Sequence, residues 1–200
     1  MTIYALSSGP GISGLAVIRI SGSDCLKVLK KMTIGSLPKP RVATLKSINK
    51  INSGDIIDKG IIIWFPGPQS YTGEDMIEFH VHGSRAIIEA IQNSLSKLEN
   101  FRLAEPGEFT KIAFMNGKIN LLQAESIGDL IASETEIQRR QAIEIMSGHH
   151  GKKYEEWREK LLKSLSRIEA IIDFPEDDLP KSILDEIRKI TSNVKEDIIK

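Results

Sequence analysis

Apolar and polar positions divide this 200-residue chain into two regimes. Up to about residue 118, short apolar runs are separated by turns rich in glycine, proline, serine and asparagine, which is the pattern of strands and short helices. Residues 3–6 and 15–21 read as strands joined by the loop Ser7-Ser8-Gly9-Pro10-Gly11-Ile12-Ser13-Gly14. The second, LAVIRIS, is apolar enough to be a central strand, so Arg19 within it is conspicuous. A charge there must be paired or reach a surface, because burying it alone costs several kcal/mol. Ser23 or Asp24 can cap a helix running to about Lys31. Val42 to Phe65 reads as two strands joined around Asn52-Ser53-Gly54-Asp55, the second strongest over Gly60–Phe65.

The stretch FPGPQSYTGEDMIEFHVHG, residues 65–83, combines a fixed turn with a polar loop and a strand. Pro66-Gly67-Pro68 sets the turn. Ser70, Thr72, Gly73, Glu74 and Asp75 then crowd hydroxyls and carboxylates into one loop. From Met76 the chain alternates: Ile77, Phe79 and Val81 point one way, and Met76, Glu78, His80 and His82 the other. Gly83-Ser84 leads into a helix with Ile87, Ile88, Ile91, Leu95 and Leu98 on one face. A short strand near Phe101–Leu103 follows, and then a helix opened by Pro106-Gly107-Glu108 and closed near Asn116-Gly117, where glycine suits a left-handed cap.

Beyond Lys118 the alternation gives way to helical spacing. One helix is expected from Asn120 to about Ser133, another from Glu134-Thr135-Glu136 onward, with a break at Gly148-His149-His150-Gly151. Leu161, Leu165, Ile168 and Ile172 form one stripe, and Asp173-Phe-Pro-Glu-Asp-Asp-Leu-Pro180 is a stop. The final segment carries Ile183, Ile187, Ile190, Val194 and Ile198, a stripe still running near Lys200 with no cap in sight, so the chain reads as cut. The expected organisation is an α+β domain over 1–118 followed by an all-α, truncated domain over 119–200.

Composition narrows the classes. The net charge is zero, with 14 Lys+Arg against 10 Asp+Glu up to residue 118 and 13 against 17 beyond it. That imbalance is too small to mark nucleic-acid binding. The single cysteine, Cys25, excludes an internal disulfide framework and fits a reducing compartment. No apolar run is long enough for a membrane span, and MTIYALSS lacks the form of a signal peptide. A cytoplasmic protein is the expectation.

Candidate chemistry centres on Glu78. An inward carboxylate accepts two parallel hydrogen bonds from a planar N–C–N edge such as a guanidinium or a pterin; spacing alone, however, favours a residue facing water on a one-sided sheet. Arg19 fits either a structural ion pair or an anion anchor. His80 and His82 have a spacing that zinc sites use, but only acids stand nearby as further ligands, so no metal site is assigned. Cys25, in an amphipathic helix without a paired base, reads as core. Gly9-Pro10-Gly11 with Gly14 is not a phosphate loop: it leads into a strand, and no G-x-x-x-x-G-K-[ST] occurs in the chain.

Five stretches in this order, GPGISGLAVIRISG, LPKPR, WFPGPQSYTGEDMIEFHVHG, LAEPGEFTKIAFMNGKINLLQAESIGDLI and IDFPEDD, closely resemble the tRNA-modification GTPases of the MnmE (TrmE) type. The resemblance covers nearly the whole chain. It implies an N-terminal α+β domain similar to folate-dependent aminomethyltransferases, which forms a homodimer and binds a one-carbon folate of the 5-formyltetrahydrofolate type. It further implies a helical domain interrupted by a Ras-like G domain that uses GTP, Mg and K. With a flavin-dependent partner of the MnmG (GidA) type, such proteins install an aminomethyl-type group on the tRNA wobble uridine. The family's folate contacts fall here on Arg19, Glu78 and Lys118; by pattern alone the last is only the residue after a helix cap. The G domain is expected to begin beyond Lys200 and is missing, as is the C-terminal helical return with its cysteine motif and a further lysine. Two rivals remain: a free-standing folate-dependent aminomethyltransferase, disfavoured by the acidic helical tail, and a non-catalytic dimerisation scaffold.

Overall fold

The computed structural model describes residues 1–173 and 182–199. It divides into two compact units, residues 1–120 and 121–200. The first is built on a six-stranded mixed sheet. Its strands are β1 (Thr2–Leu6), β2 (Ser13–Ser21), β3 (Thr44–Asn49), β4 (Ile56–Phe65), β5 (Met76–Gly83) and β6 (Phe101–Leu103). Their spatial order is β3-β4-β5-β2-β1-β6. All neighbours are antiparallel except β1 and β6, which run parallel at one edge.

The alternation of β5 decides which face is core. Ile77, Phe79 and Val81 are buried together with Ile18 and Ile20 of β2, Ile62 of β4 and Ile48 of β3. Two helices cover that face. Helix α1 (Cys25–Met32) contributes Cys25, Val28, Leu29 and Met32, and α2 (Arg85–Leu95) contributes Ile91 and Leu95, with Leu98 beyond its end. Each large apolar side chain so buried is worth about 1.5–3 kcal/mol. The α2 start is set by Ser84, whose Oγ accepts the Ile87 backbone N–H at 3.2 Å. The start of α1 differs from expectation: Asp24 stands at the N-cap without a side-chain cap bond and instead pairs with Lys27 at 2.9 Å.

Strand β4 begins earlier than its best apolar run, at Ile56, because it pairs with β3 from Ile56 to Ile62. Gly60 is required there by packing: a Cβ at that position would fall 2.3 Å from the His80 carbonyl oxygen. After β6, helix α3 (Glu108–Met115) starts behind Gly107 and ends with Gly117 at φ +66°.

The second unit is helical: α4 (Leu121–Ala132), α5 (Glu136–Met146), α6 (His149–Asp173) and α7 (Ile183–Ile199). Thr135 and Gln138 form a reciprocal capping box at the start of α5. Gly148, at φ +81°, separates α5 from α6, where the sequence placed a break. From Phe174 on, the predicted stop lies outside the described residues. Helix α7 packs on α6 through buried Ile187 and Val194, with Arg167 and Glu186 paired at 3.0 Å. The α6 stripe Leu161, Leu165, Ile168 and Ile172 stays exposed. Among the described residues no helix is long and apolar enough to cross a membrane.

Candidate functional site

The register of the central strands sets Arg19 of β2 directly opposite Glu78 of β5, with Ile63 of β4 beyond it. Both charged side chains lie on the face away from α1 and α2. Arg19 donates to Glu78 Oε1 twice, from Nε at 3.0 Å and from Nη2 at 2.8 Å. His80, two residues along the same stripe, brings Nε2 to 3.2 Å from Oε2. The Glu78 side chain is only 13% exposed and that of Arg19 27%. Glu78 therefore does not face open water; it is the acceptor at the centre of a half-buried polar cluster.

Two aromatic rings flank the guanidinium. Its central carbon lies 5.3 Å from the Tyr71 ring centroid and 5.6 Å from that of Phe109, both within cation–π range. Tyr71 comes from the polar loop after β4 and Phe109 from the first turn of α3. A hydrogen bond of 2.8 Å between the Tyr71 hydroxyl and Thr110 Oγ1 ties the two elements together.

The loop itself is fastened from several sides. Asp75 Oδ1 accepts the Gly67 N–H at 2.9 Å. Beneath the loop, Thr72 and Ser21 hydroxyls share a buried bond of 2.7 Å, and Ser21 also donates to Glu74 Oε2 at 3.0 Å. From the end of α3, Asn116 Nδ2 donates to the Thr72 carbonyl at 2.8 Å, and Lys118 Nζ to the Pro68 carbonyl at 3.0 Å. Gly73 has φ +81°, and a Cβ there would meet Asn116 Cβ at 3.2 Å and Lys118 Cγ at 3.3 Å. The loop thus closes onto Lys118 only because residue 73 has no side chain.

Of the three residues singled out from the sequence, Arg19 and Glu78 are in contact. Lys118 is joined to them through the loop, and among the described residues no ion pair links it to Glu78. His82 pairs instead with Asp58, its Nδ1 2.9 Å from Oδ1. Burial resists the charge on Asp58, but the His82 backbone N–H and ring, with the Lys59 N–H, hold its carboxyl below the usual range. Cys25 is buried and donates to the Asp75 carbonyl at 3.1 Å; burial and the nearby Asp75 and Glu74 push its thiol far up, which fits a core residue. Among the described residues there is no group of three or more metal-ligating side chains.

Sequence reasoning passed over Tyr71, Phe109 and the partnership of His80 with Glu78. An aromatic residue inside an otherwise polar loop was the available signal for Tyr71. Phe109 carried none, since a phenylalanine in a helix reads as core.

The fold and this cluster define a sheet-built α+β domain followed by a helical unit, and family comparison assigns both. Residues 2–118 match the family model described as the GTP-binding protein TrmE N-terminus, and residues 121–200 match the MnmE helical domain. The chain belongs to the MnmE (TrmE) family of tRNA-modification GTPases. It is 64% identical over 194 residues to the tRNA modification GTPase MnmE of Pelagibacter ubique, covering 97% of this chain and 44% of that protein. It is 44% identical over 198 residues to the mitochondrial 5-taurinomethyluridine-[tRNA] synthase subunit GTPB3 of Danio rerio, covering 98% of this chain and 39% of that protein. The human protein of the same name is 46% identical over 187 residues, covering 92% of this chain and 38% of its own length. The chain therefore spans less than half the length of these relatives.

Proposed function

We propose that residues 1–118 are a folate-binding and dimerisation domain and residues 119–200 the first part of the helical domain of a tRNA-modification GTPase, acting in aminomethyl-type modification of the wobble uridine. The observation that carries this reading is the Arg19–Glu78–His80 cluster, drawn from adjacent central strands and flanked by Tyr71 and Phe109. Its donor set suits a one-carbon tetrahydrofolate of the 5-formyl type: a carboxylate for the N–C–N edge of a pterin, aromatic faces for its ring, and cations for its anionic tail. Glu78 would hold the pterin, while Arg19 and Lys118 supply positive charge. When bound, the folate supplies the one-carbon unit; the chain's own residues bind and orient it and keep water from the half-buried carboxylate.

The relatives' names support the wider setting. Several are called tRNA modification GTPases, and the modified nucleoside in the name of the two mitochondrial relatives is a uridine. A homodimer, a flavin-dependent partner of the MnmG type, tRNA in the full complex and a cytoplasmic location complete the proposal. GTP, Mg and K belong to a G domain, since these 200 residues contain no phosphate-loop motif.

Titration with 5-formyltetrahydrofolate beside thermal melts tests the site. Glu78→Ala removes charge-assisted bonds and is expected to cost about 2–4 kcal/mol of affinity, roughly 30- to 1,000-fold in Kd. A folded Glu78→Ala protein with wild-type affinity contradicts the assignment.

A further inference from the structure

We infer that Arg19 acts as an internal competitor for the ligand's place on Glu78, so that binding requires its guanidinium to withdraw. This rests on the folate reading above and adds a step to it. A carboxylate offers about four acceptor positions, two on each oxygen. On Glu78, Oε1 already accepts from both Nε and Nη2 of Arg19, at 3.0 and 2.8 Å, while Oε2 accepts from His80 at 3.2 Å. Among the described residues nothing else bonds to Glu78, so one position remains, and it is on Oε2. A planar N–C–N edge donates in parallel to both oxygens, so it cannot dock while Arg19 keeps both its bonds.

The competition is between like chemistries. A guanidinium is itself a planar array of N–H donors around one carbon, and this one lies beside the two aromatic rings that would flank a bound heterocycle. Arg19 fills the site with a surrogate for its ligand. It also has somewhere to go: its side chain is 27% exposed, so the guanidinium can be released toward water and left beside the ligand, free to meet a carbonyl or anionic group. The arrangement keeps Glu78 paired in the absence of ligand, and it filters what binds. A ligand with two parallel donors can replace Arg19; one with a single donor can use only the remaining position and leaves Arg19 in place.

The test uses a pterin without the anionic tail, 6-methyltetrahydropterin, so that any tail contact made by Arg19 drops out. Calorimetry compares wild type with Arg19→Met, and in wild type the Arg19 Nε–H resonance is followed through the same titration. Arg19→Met is expected to bind the tail-less pterin at least about tenfold more tightly, because the site is no longer occupied by its own chain. The wild-type Nε–H signal is expected to leave its carboxylate-bonded position at saturation. Should Arg19→Met fail to fold, the wild-type resonance alone decides. Equal or weaker pterin binding by a folded Arg19→Met, or an Nε–H signal unmoved at saturation, overturns the inference. Glu78→Gln separates the two readings. If it binds the pterin as wild type does, the folate assignment itself falls. If it loses binding while Arg19→Met shows no gain, only the competition is wrong.

Discussion

Breaking the Arg19–Glu78 pair should destabilise the first unit by different amounts from its two ends. Glu78→Gln leaves a guanidinium 27% exposed, with two aromatic faces to lie against, so part of its hydration can return. Arg19→Met leaves a carboxylate only 13% exposed with His80 as its remaining side-chain partner. Exposed pairs are worth about 0.2–1 kcal/mol, and removing one partner of a fully buried pair costs about 3–5. The intermediate burial here places Glu78→Gln at about 1–2 kcal/mol and Arg19→Met at about 2–3. The double variant leaves neither charge stranded, so its loss should fall short of the sum by about 1–2 kcal/mol. Urea unfolding of the four proteins in a Trp157→Phe background, followed by Trp64 fluorescence, gives the cycle. Trp64 lies on β4 with its side chain packed against the core, so it reports on this sheet. A coupling below about 0.5 kcal/mol would mean the ion pair is incidental and the cluster not preorganised.

Three further outcomes are expected. Gly73→Ala forces a Cβ into a backbone at φ +81° and against Asn116 and Lys118, and should cost about 1–2 kcal/mol in a denaturant melt while speeding amide exchange in residues 66–75. Glu108 is held at about 2 chiefly by hydrogen bonding from Arg102, against burial and with help from the Glu105 N–H. Its folded pKa thus lies below the unfolded one, so the contribution is present above about pH 4.3 and fades as pH falls toward 2. Arg102→Met should therefore lower stability slightly at pH 7, the pair being solvent-screened at Arg102, and the deficit should shrink in melts at pH 2.5. Hydrogen exchange should find α7 far less protected than β5, because α7 buries only Ile187 and Val194 while β5 lies between two strands in the core; equal protection would show that the α7 stripe is fully covered.

The strands and helices were legible because their periodicities are long and clean. Ile77, Phe79 and Val81 against Glu78, His80 and His82 is enough to assign the two faces of β5 without any structure. Arg19 was conspicuous for the opposite reason, as a charge breaking an apolar run. The identity of its partner was not legible. Glu78 is 59 residues away, and only the sheet register, with β5 beside β2 and not beside β3, brings the two together. The role of Lys118 was equally hidden, since its hydrogen bond to Pro68 spans 50 residues and depends on a glycine at 73 that sequence spacing alone reads as a turn. Tyr71 and Phe109 meet Arg19 from two elements that nothing local connects. Local pattern reports which face a residue takes; nonlocal pairing decides what it meets there.

Glu78 is proposed above as the ligand-holding group of a folate site. A crystal structure of this chain with 5-formyltetrahydrofolate tests it most directly. The pterin edge is expected on the Glu78 carboxylate at hydrogen-bond distance, about 3 Å, with the ring beside Tyr71 or Phe109. Folate bound elsewhere, with Glu78 still holding Arg19 through both Nε and Nη2, would contradict it.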